Sequence, residues 1–327
     1  MISSFAHCKE QLEEGNLAIL PTETVYGLAA NGIDPVAVKK IFSIKGRPPT
    51  NHVILHVSNI KDAYKYAFID ENAEKLAQHF WPGPLTLILK KRDIVPEIAT
   101  AGLSTVGIRS PSNAVFRKML TSLSFPLAAP SANPSNRTSP TSASQVLEMF
   151  GHSCPPVLDN GPSELGIEST ILNLSSKKLS ILRLGHISAA SIEKCLGVPI
   201  SISMELHEKD SKLKKSPGTS KVHYAPKTPA ILHESVKNCL EFKNITPNDL
   251  IIVHSSHDIA KFDRLPCKTV ALSKNGNLHE IARSLFGKLH DADKLNFNQF
   301  HLCLNELKDD LAYAINDRIR RACAKNF

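Results

Sequence analysis

Four short segments carry side chains suited to a charged small molecule, and each lies at the end of a predicted strand or helix. Pro21-Thr22-Glu23-Thr24-Val25-Tyr26-Gly27-Leu28 follows the apolar run Leu17-Ala18-Ile19-Leu20. Its hydroxyls, carboxylate and phenol suit the wall of a pocket for a zwitterion. Taken alone, however, it reads first as a strand-to-helix turn with capping threonines. Lys45-Gly46-Arg47-Pro48-Pro49 sets two cations two residues apart around a glycine. That spacing can aim both at one polyanion, and it equally describes a polar loop that ends a helix. In Ala128-Ala129-Pro130-Ser131-Ala132-Asn133-Pro134, an extended backbone puts Ser131 and Asn133 on one side, and the small residues admit close approach. Gly166-Ile167-Glu168-Ser169-Thr170-Ile171 is a turn feeding a strand, with one carboxylate and two hydroxyls. Ligands of α/β proteins gather at the carboxyl ends of strands, so position adds weight to composition. Each segment alone remains compatible with a plain turn.

The elements that must position these segments alternate along the first 200 residues. Ser4 is placed to cap a helix bearing Phe5, Cys8 and Leu12, and Asp34-Pro35 is an N-cap followed by proline at the first helical position, opening a helix to about Phe42. Further helices are predicted at 71–80, 113–122 and 142–150. Strands are predicted at 53–57, 85–89, 106–109, 169–174 and 179–184. The last two have hairpin-like spacing, which makes the sheet mixed rather than purely parallel. Beyond a basic, apolar-poor stretch at 208–218 the pattern shortens. Strands at 230–232, 250–253, 269–272 and 301–304 interleave with helices at 234–242, 278–290 and 310–323, as in a small α/β domain. The expected organisation is a first domain over 1–200, a basic linker over 201–226 that covers the active site, and a second domain over 227–327.

Composition bounds the function. With 327 residues, roughly two domains are expected. The net charge of +8 divides into +3 before residue 200 (19 basic, 16 acidic) and +5 after it (20 basic, 15 acidic), so it is dispersed. Dispersed charge permits a nucleotide or RNA partner without requiring one. The linker lysines read first as solvated and second as a nucleic-acid contact; Arg318, Arg320 and Arg321 divide evenly between complementing a helix C-terminus and binding an anion. Apolar runs are too short for a membrane span, and Met1 to His7 lacks the pattern of a secretory signal. Seven scattered cysteines without a C-x-x-C indicate neither a disulfide framework nor a zinc ribbon and fit a reducing cytoplasm. No phosphate loop, dinucleotide fingerprint, H-E-x-x-H or G-x-S-x-G elbow occurs. The histidines show no paired ligand spacing, so no metal held by protein side chains alone is expected.

Taken together and in order, P-T-E-T-V-Y-G-L, K-G-R-P, W-P-G-P-L-T (Trp81 to Thr86), A-P-S-A-N and G-I-E-S-T-I resemble the threonylcarbamoyl-AMP synthase family. Ser216-Pro217-Gly218, His223-Tyr224-Ala225-Pro226 and Asn316-Asp317-Arg318-Ile319-Arg320-Arg321 are similar to its long, two-domain form. The resemblance implies an N-terminal YrdC-type mixed twisted sheet with flanking helices and a small C-terminal Rossmann-like α/β domain. It implies synthesis of L-threonylcarbamoyladenylate from L-threonine, bicarbonate and ATP, with Mg2+ on the ATP and no organic cofactor. A tRNA threonylcarbamoyl transferase complex is the expected partner, with a weak direct tRNA contact and no membrane. By the family pattern, L-threonine meets Thr24, His56, Arg109, Ala129 and Ser169. ATP meets Lys45, Arg47, Asn51, Thr105, Ser131, Asn133, Ser139, Arg183 and Tyr224, and Lys45 and Arg47 are the catalytic cations. The chain departs from the pattern at His52-Val53, at Leu184, and in the linker, where a methionine and a tyrosine are missing. Competing readings are an RNA-binding module without turnover and a carbamoyl-transfer domain of the hydrogenase-maturation type. The latter's zinc-finger cysteines are absent.

Overall fold

The structure, a computed structural model, describes residues 1–48, 50–176, 178–203 and 223–324. Most of the expected linker, including its departures from the family pattern at 219–222, lies outside the described residues. The strands are β1 (Ala18–Leu20), β2 (Gly27–Asn31), β3 (Ile54–His56), β4 (Leu85–Lys90), β5 (Thr105–Arg109), β6 (Leu127–Ala128), β7 (Thr170–Asn173), β8 (Ser180–Arg183), β9 (Ser201–Ile202), β10 (Ala230–His233), β11 (Asp249–Ser255), β12 (Lys268–Ser273) and β13 (Gln299–Cys303).

Nine strands form one sheet in the order β1-β2-β6-β3-β5-β4-β7-β8-β9. It is mixed: β3 pairs with β5, β4 with β7 and β8 with β9 in parallel, and the other neighbours are antiparallel. The first sheet therefore reaches Ile202, into the segment expected as linker. The second sheet, β10-β13-β11-β12, is wholly parallel. One face is covered by the helices Leu278–Ala292 and Asp310–Cys323, whose Ile281, Leu285, Phe286, Leu311, Ile315 and Ile319 join Leu250, Ile252, Phe300 and Leu302, and the other, with Ile251, Val253 and Cys303, by the short helices Val236–Leu240 and Ser256–Phe262.

Local chemistry sets the elements that matter for the site. Asp34 Oδ1 accepts from the Val36 N–H, Pro35 opens the helix Pro35–Lys45, and Gly46 closes it at φ +57°. That helix runs three residues past the expected Phe42, which places Lys45 in its last turn and Arg47 just beyond. The clearest departure from the sequence reading is at 27–31. A turn into a helix was expected, but the chain returns as β2, pairing Gly27 with Leu20 and Ala29 with Ala18.

The second domain packs on the first. Gly166, at φ +79°, lies so close to the helix Leu278–Ala292 that a Cβ there would stand 2.3 Å from Arg283 Cα. Arg283 Nε donates to Glu164 O (2.7 Å), and the Ala189 N–H donates to Asp310 Oδ2 (2.6 Å). Among the described residues no helix is long and apolar enough to cross a membrane.

Candidate active site

His56 and Arg109 end the neighbouring parallel strands β3 and β5 and are register partners. Thr24 lies in the β1–β2 connection, Ala129 just past β6 and Ser169 just before β7. All five line one cavity. Arg47, Ser131, Arg183 and Tyr224 line it too. The cavity thus sits at the carboxyl ends of β3 and β5, a common place for ligands in α/β sheets.

At one end, the buried Arg109 guanidinium is held from three sides. Nη1 donates to Thr24 Oγ1 (3.1 Å) and Nε to Gly83 O (3.3 Å). Glu23 Oε1 lies 2.6 Å from Nη2 as an ion contact without hydrogen-bond alignment, so neither Glu23 oxygen has a hydrogen-bond donor. This is a charged fork fixed in orientation, the form suited to a ligand carboxylate. His56 Nδ1 lies 3.3 Å from Leu127 O. Burial, with Arg109 beside it, pushes the His56 imidazole down to about 3, and burial with Arg47 brings His52 to about 4. Both are neutral at physiological pH.

Those depressed values predict acid lability. Because folded pKa values lie below the ordinary histidine value near 6.5, the unfolded chain binds more protons between them, and stability rises with pH there. The contribution of each histidine is complete above about pH 6.5 and is lost as pH falls toward 4 for His52 and 3 for His56. Urea denaturation between pH 4.5 and 6 should show His56→Asn lowering the slope of stability against pH by about 1.4 kcal/mol per pH unit. An unchanged slope would contradict the assignment.

Two further cations, Arg47 and Arg183, line the same cavity. Arg47 Nη2 donates to His52 O (2.8 Å), and burial lowers its guanidinium to about 10. Arg183 Nε donates to Ser169 O and Nη2 to Ser169 Oγ, both at 3.0 Å, and Ser169 Oγ lies 2.8 Å from Thr86 Oγ1. Lys45 does not line the cavity. Its Nζ donates to Ser131 O (2.5 Å) and Asn133 O (2.6 Å), bracing the 131–133 segment from behind, and burial followed by Arg47 pushes it well below the usual lysine range.

Asn51, Thr105, Asn133 and Ser139 also lie outside the cavity lining. Asn133 Nδ2 donates to Pro134 O and Arg137 O, and Ser139 Oγ donates to Glu168 Oε1 (2.6 Å). Asn51 follows Arg47 in a turn, with its buried Oδ1 unpartnered. Thr105 opens β5, four residues from Arg109, hence roughly 13 Å along the strand.

Glu168 is a site residue to which the sequence reading gave no role. It lines the cavity, accepts from Ser139, and faces Arg318 Nε at 3.2 Å through its other oxygen. Arg318 arrives from the C-terminal helix fully buried, and its Nη1 donates to Leu184 O (2.8 Å). It is therefore neither a helix-end cation nor an open anion site. Arg321 Nε donates to Asp317 Oδ1 (2.8 Å), and Arg320 pairs at the surface with Glu234. The signal was present in the G-I-E-S-T-I and N-D-R-I-R-R segments, but only the fold shows that they meet.

Tyr224 enters from the described end of the linker at φ +61°. Its ring stacks on Phe286 (5.2 Å between centroids) with the Arg318 guanidinium 5.7 Å away, and its buried Oη has no hydrogen-bond partner. Burial, and secondarily Glu168, raises the phenol to about 12, so it stays protonated. The Ala225 N–H donates to Asn136 O and Arg137 Nη1 to Pro226 O, pinning this strap to the first domain.

Comparison with known proteins places this geometry among relatives. A family described as "Telomere recombination" (Sua5/YciO/YrdC) matches residues 10–185, and one described as "Threonylcarbamoyl-AMP synthase, C-terminal domain" matches residues 187–324. A threonylcarbamoyl-AMP synthase from Pyrococcus abyssi is 36% identical over 324 residues, covering 95% of this chain and 91% of that protein. Among solved structures, a histidine-to-alanine, tyrosine-to-alanine double variant of P. abyssi Sua5 superposes with a TM-score of 0.88 at 34% identity, covering 98% of this chain and 92% of that one. P. abyssi Sua5 complexed with L-threonine superposes at 0.82 and 34% identity, over 98% and 94% of the two chains.

Proposed function

The chain belongs to the threonylcarbamoyl-AMP synthase family, and on that premise we propose that it condenses L-threonine, bicarbonate and ATP into L-threonylcarbamoyladenylate, releasing pyrophosphate and water. The observation that carries the reading is the convergence of Arg47, Arg109 and Arg183 on one cavity that also holds the Thr24 and Ser169 hydroxyls. Arg109 takes the amino acid's carboxylate at the end with Thr24, His56, Ala129 and Ser169. Arg47 and Arg183 face the polyphosphate, with Ser131 and Tyr224 on the same wall. Asn51, Thr105, Asn133 and Ser139 complete the ATP site from outside the cavity lining.

The deprotonated amine of threonine adds to the carbon of bicarbonate or its dehydrated form, giving an N-carboxylate. A carboxylate oxygen then attacks the ATP α-phosphorus, the bond to the β-phosphate oxygen breaks, and pyrophosphate leaves with that electron pair. Positive charge around the phosphates offsets the charge that builds on them. No lining side chain is nominated as general base, since burial and Arg109 push the His56 imidazole down to about 3 and make it a weak base. Catalysis therefore rests on positioning and electrostatics. Of the acids nearby, Glu168 is engaged by Ser139 and Arg318 and Glu23 by Arg109. Magnesium accordingly enters on the ATP phosphates rather than in a protein cage.

The mixed anhydride hydrolyses readily, so a cover is chemically useful, and Tyr224 with the strap at 223–226 is placed to supply it. The product passes to a tRNA threonylcarbamoyl transferase complex, for threonylcarbamoyladenosine formation in tRNA, in the cytoplasm. Any direct tRNA contact is weak and falls to the dispersed basic excess.

The test is pyrophosphate release from ATP with bicarbonate and each of threonine, serine and glycine. Release with threonine, and label incorporation from bicarbonate, is the expected result; RNA binding without turnover would favour the binding-module alternative. Lys45→Ala, which removes the brace that sets Ser131 and Asn133 at the ATP site, should abolish the threonine-dependent release while the circular dichroism spectrum stays native. Unchanged turnover would remove Lys45 from the mechanism.

A further inference from the structure

The second sheet holds a cluster of soft donors that the reaction does not use. Parallel pairing of β10 with β13 sets His233 opposite Cys303 and Ile231 opposite His301. Because side chains alternate along a strand, His301 and Cys303 share a face. The helix Val236–Leu240 packs against these strands and brings Cys239 to that same group. His233 Nε2 and His301 Nδ1 are 2.9 Å apart, and the ligand atoms of His233, Cys239 and His301 all lie within 4.8 Å of one another. Cys303, the register partner of His233, shares a buried cluster with Cys239. Cys239, His301 and Cys303 are fully buried and His233 is 5% exposed.

Two further observations point to an ion rather than a bare core pair. His301 Nε2, the ring nitrogen turned away from the cluster, is buried without a hydrogen-bond partner and lies 3.6 Å from the buried Asp249 Oδ2. A carboxylate behind a ligating histidine is the usual second partner at a metal site, fixing the ring's tautomer. Tetrahedral zinc, with bonds of about 2.0–2.1 Å to nitrogen and about 2.3 Å to sulfur, spaces its ligand atoms about 3.3–3.8 Å apart. Among His233, Cys239 and His301, the imidazole pair need open only a few tenths of an ångström, and no separation need close by more than about one. Phe242, with its ring centroid 5.3 Å from His233 and 5.5 Å from His301, adds an apolar wall.

We propose that His233, Cys239 and His301, with Cys303 as fourth ligand, form a structural Zn2+ site in the second domain. The ion ties β10, β13 and the five-residue helix between β10 and β11 into one unit, which a small sheet benefits from. The proposal is independent of the catalytic reading.

The full chain, purified under reducing conditions without chelator, should carry about one zinc, as a single closed site requires. After stripping and titration with Co2+, thiolate charge-transfer and tetrahedral d–d absorption should appear. Cys239→Ser should alter that spectrum and lose stoichiometric binding, and Asp249→Asn should weaken Zn2+ binding about 10–100-fold. Cys195→Ser, outside the cluster, should change neither. Should Cys239→Ser fail to fold, His233→Gln and Cys303→Ala read the same site. Failure of the stripped, reduced protein to bind Zn2+ would overturn the proposal. So would a Co2+ spectrum indifferent to these substitutions, or oxidation of Cys239 and Cys303 to a disulfide with no metal uptake.

Discussion

Arg318→Met should destabilise the protein by about 3–5 kcal/mol, seen as a lowered urea midpoint, and should abolish threonine-dependent pyrophosphate release. The guanidinium is fully buried between Glu168 and the carbonyls of Leu184 and Ala314. Removing it leaves the Glu168 carboxylate in a dry wall with only Ser139 and the more distant charge of Arg183 to favour ionisation. An unpaired buried charge costs far more than the pair contributes. The diagnostic is the double variant. Glu168→Gln/Arg318→Met should be clearly more stable than the sum of the two single losses, because removing both charges cancels the desolvation penalty. Additive losses would show that the ion pair is not what holds the C-terminal helix to the site wall. Loss of activity would accompany the single variant because Glu168 and Ser139 share one hydrogen bond in that wall.

That contact also marks where sequence reasoning stops. Thr24, His56, Arg109, Ala129 and Ser169, which the family resemblance groups together, come from five separate segments and line one cavity. Helix starts were legible because caps are local chemistry: Ser4, Asp34 and Asp70 each accept from the first-turn N–H groups. Strand β2 was not, because Gly27-Leu28-Ala29-Ala30-Asn31 has no β-branched residue. Its conformation comes from pairing with β1 and β6 and from burial of its first four residues, neither visible in a local pattern. β6 and β9, two residues each, fall below any periodicity. Sequence alone leaves Arg318 divided between a helix-end cation and an anion site, because Glu168 is 150 residues away. The same holds for His233, Cys239, His301 and Cys303. Metal-ligand spacing is recognisable only when ligands are near in sequence, and here a parallel strand pair joins them across some 70 residues.

The second large effect is expected at Arg109. Arg109→Lys keeps a charge beside Glu23 but replaces a planar fork with a point charge. Threonine-dependent pyrophosphate release should then show a KM for threonine raised roughly 10- to 150-fold, the cost of about 1.5–3 kcal/mol for a charge-assisted hydrogen bond. The KM for ATP should stay within about twofold, since Arg47 and Arg183, anchored on His52 and Ser169, keep their own partners. Arg109→Ala is the harsher form. It strands Glu23, whose oxygens have no hydrogen-bond donor and whose nearest cation lies 2.6 Å away, so it should also lower stability. The lysine variant therefore separates recognition from folding. An unchanged threonine KM in a folded Arg109→Lys protein would move the carboxylate site elsewhere, and equal rises in both KM values would point to general collapse of the cavity. A selective rise for the amino acid is the outcome the geometry requires. Arg109 ends β5 beside His56 on β3, so the sheet fixes its backbone while Thr24, Gly83 and Glu23 orient its fork.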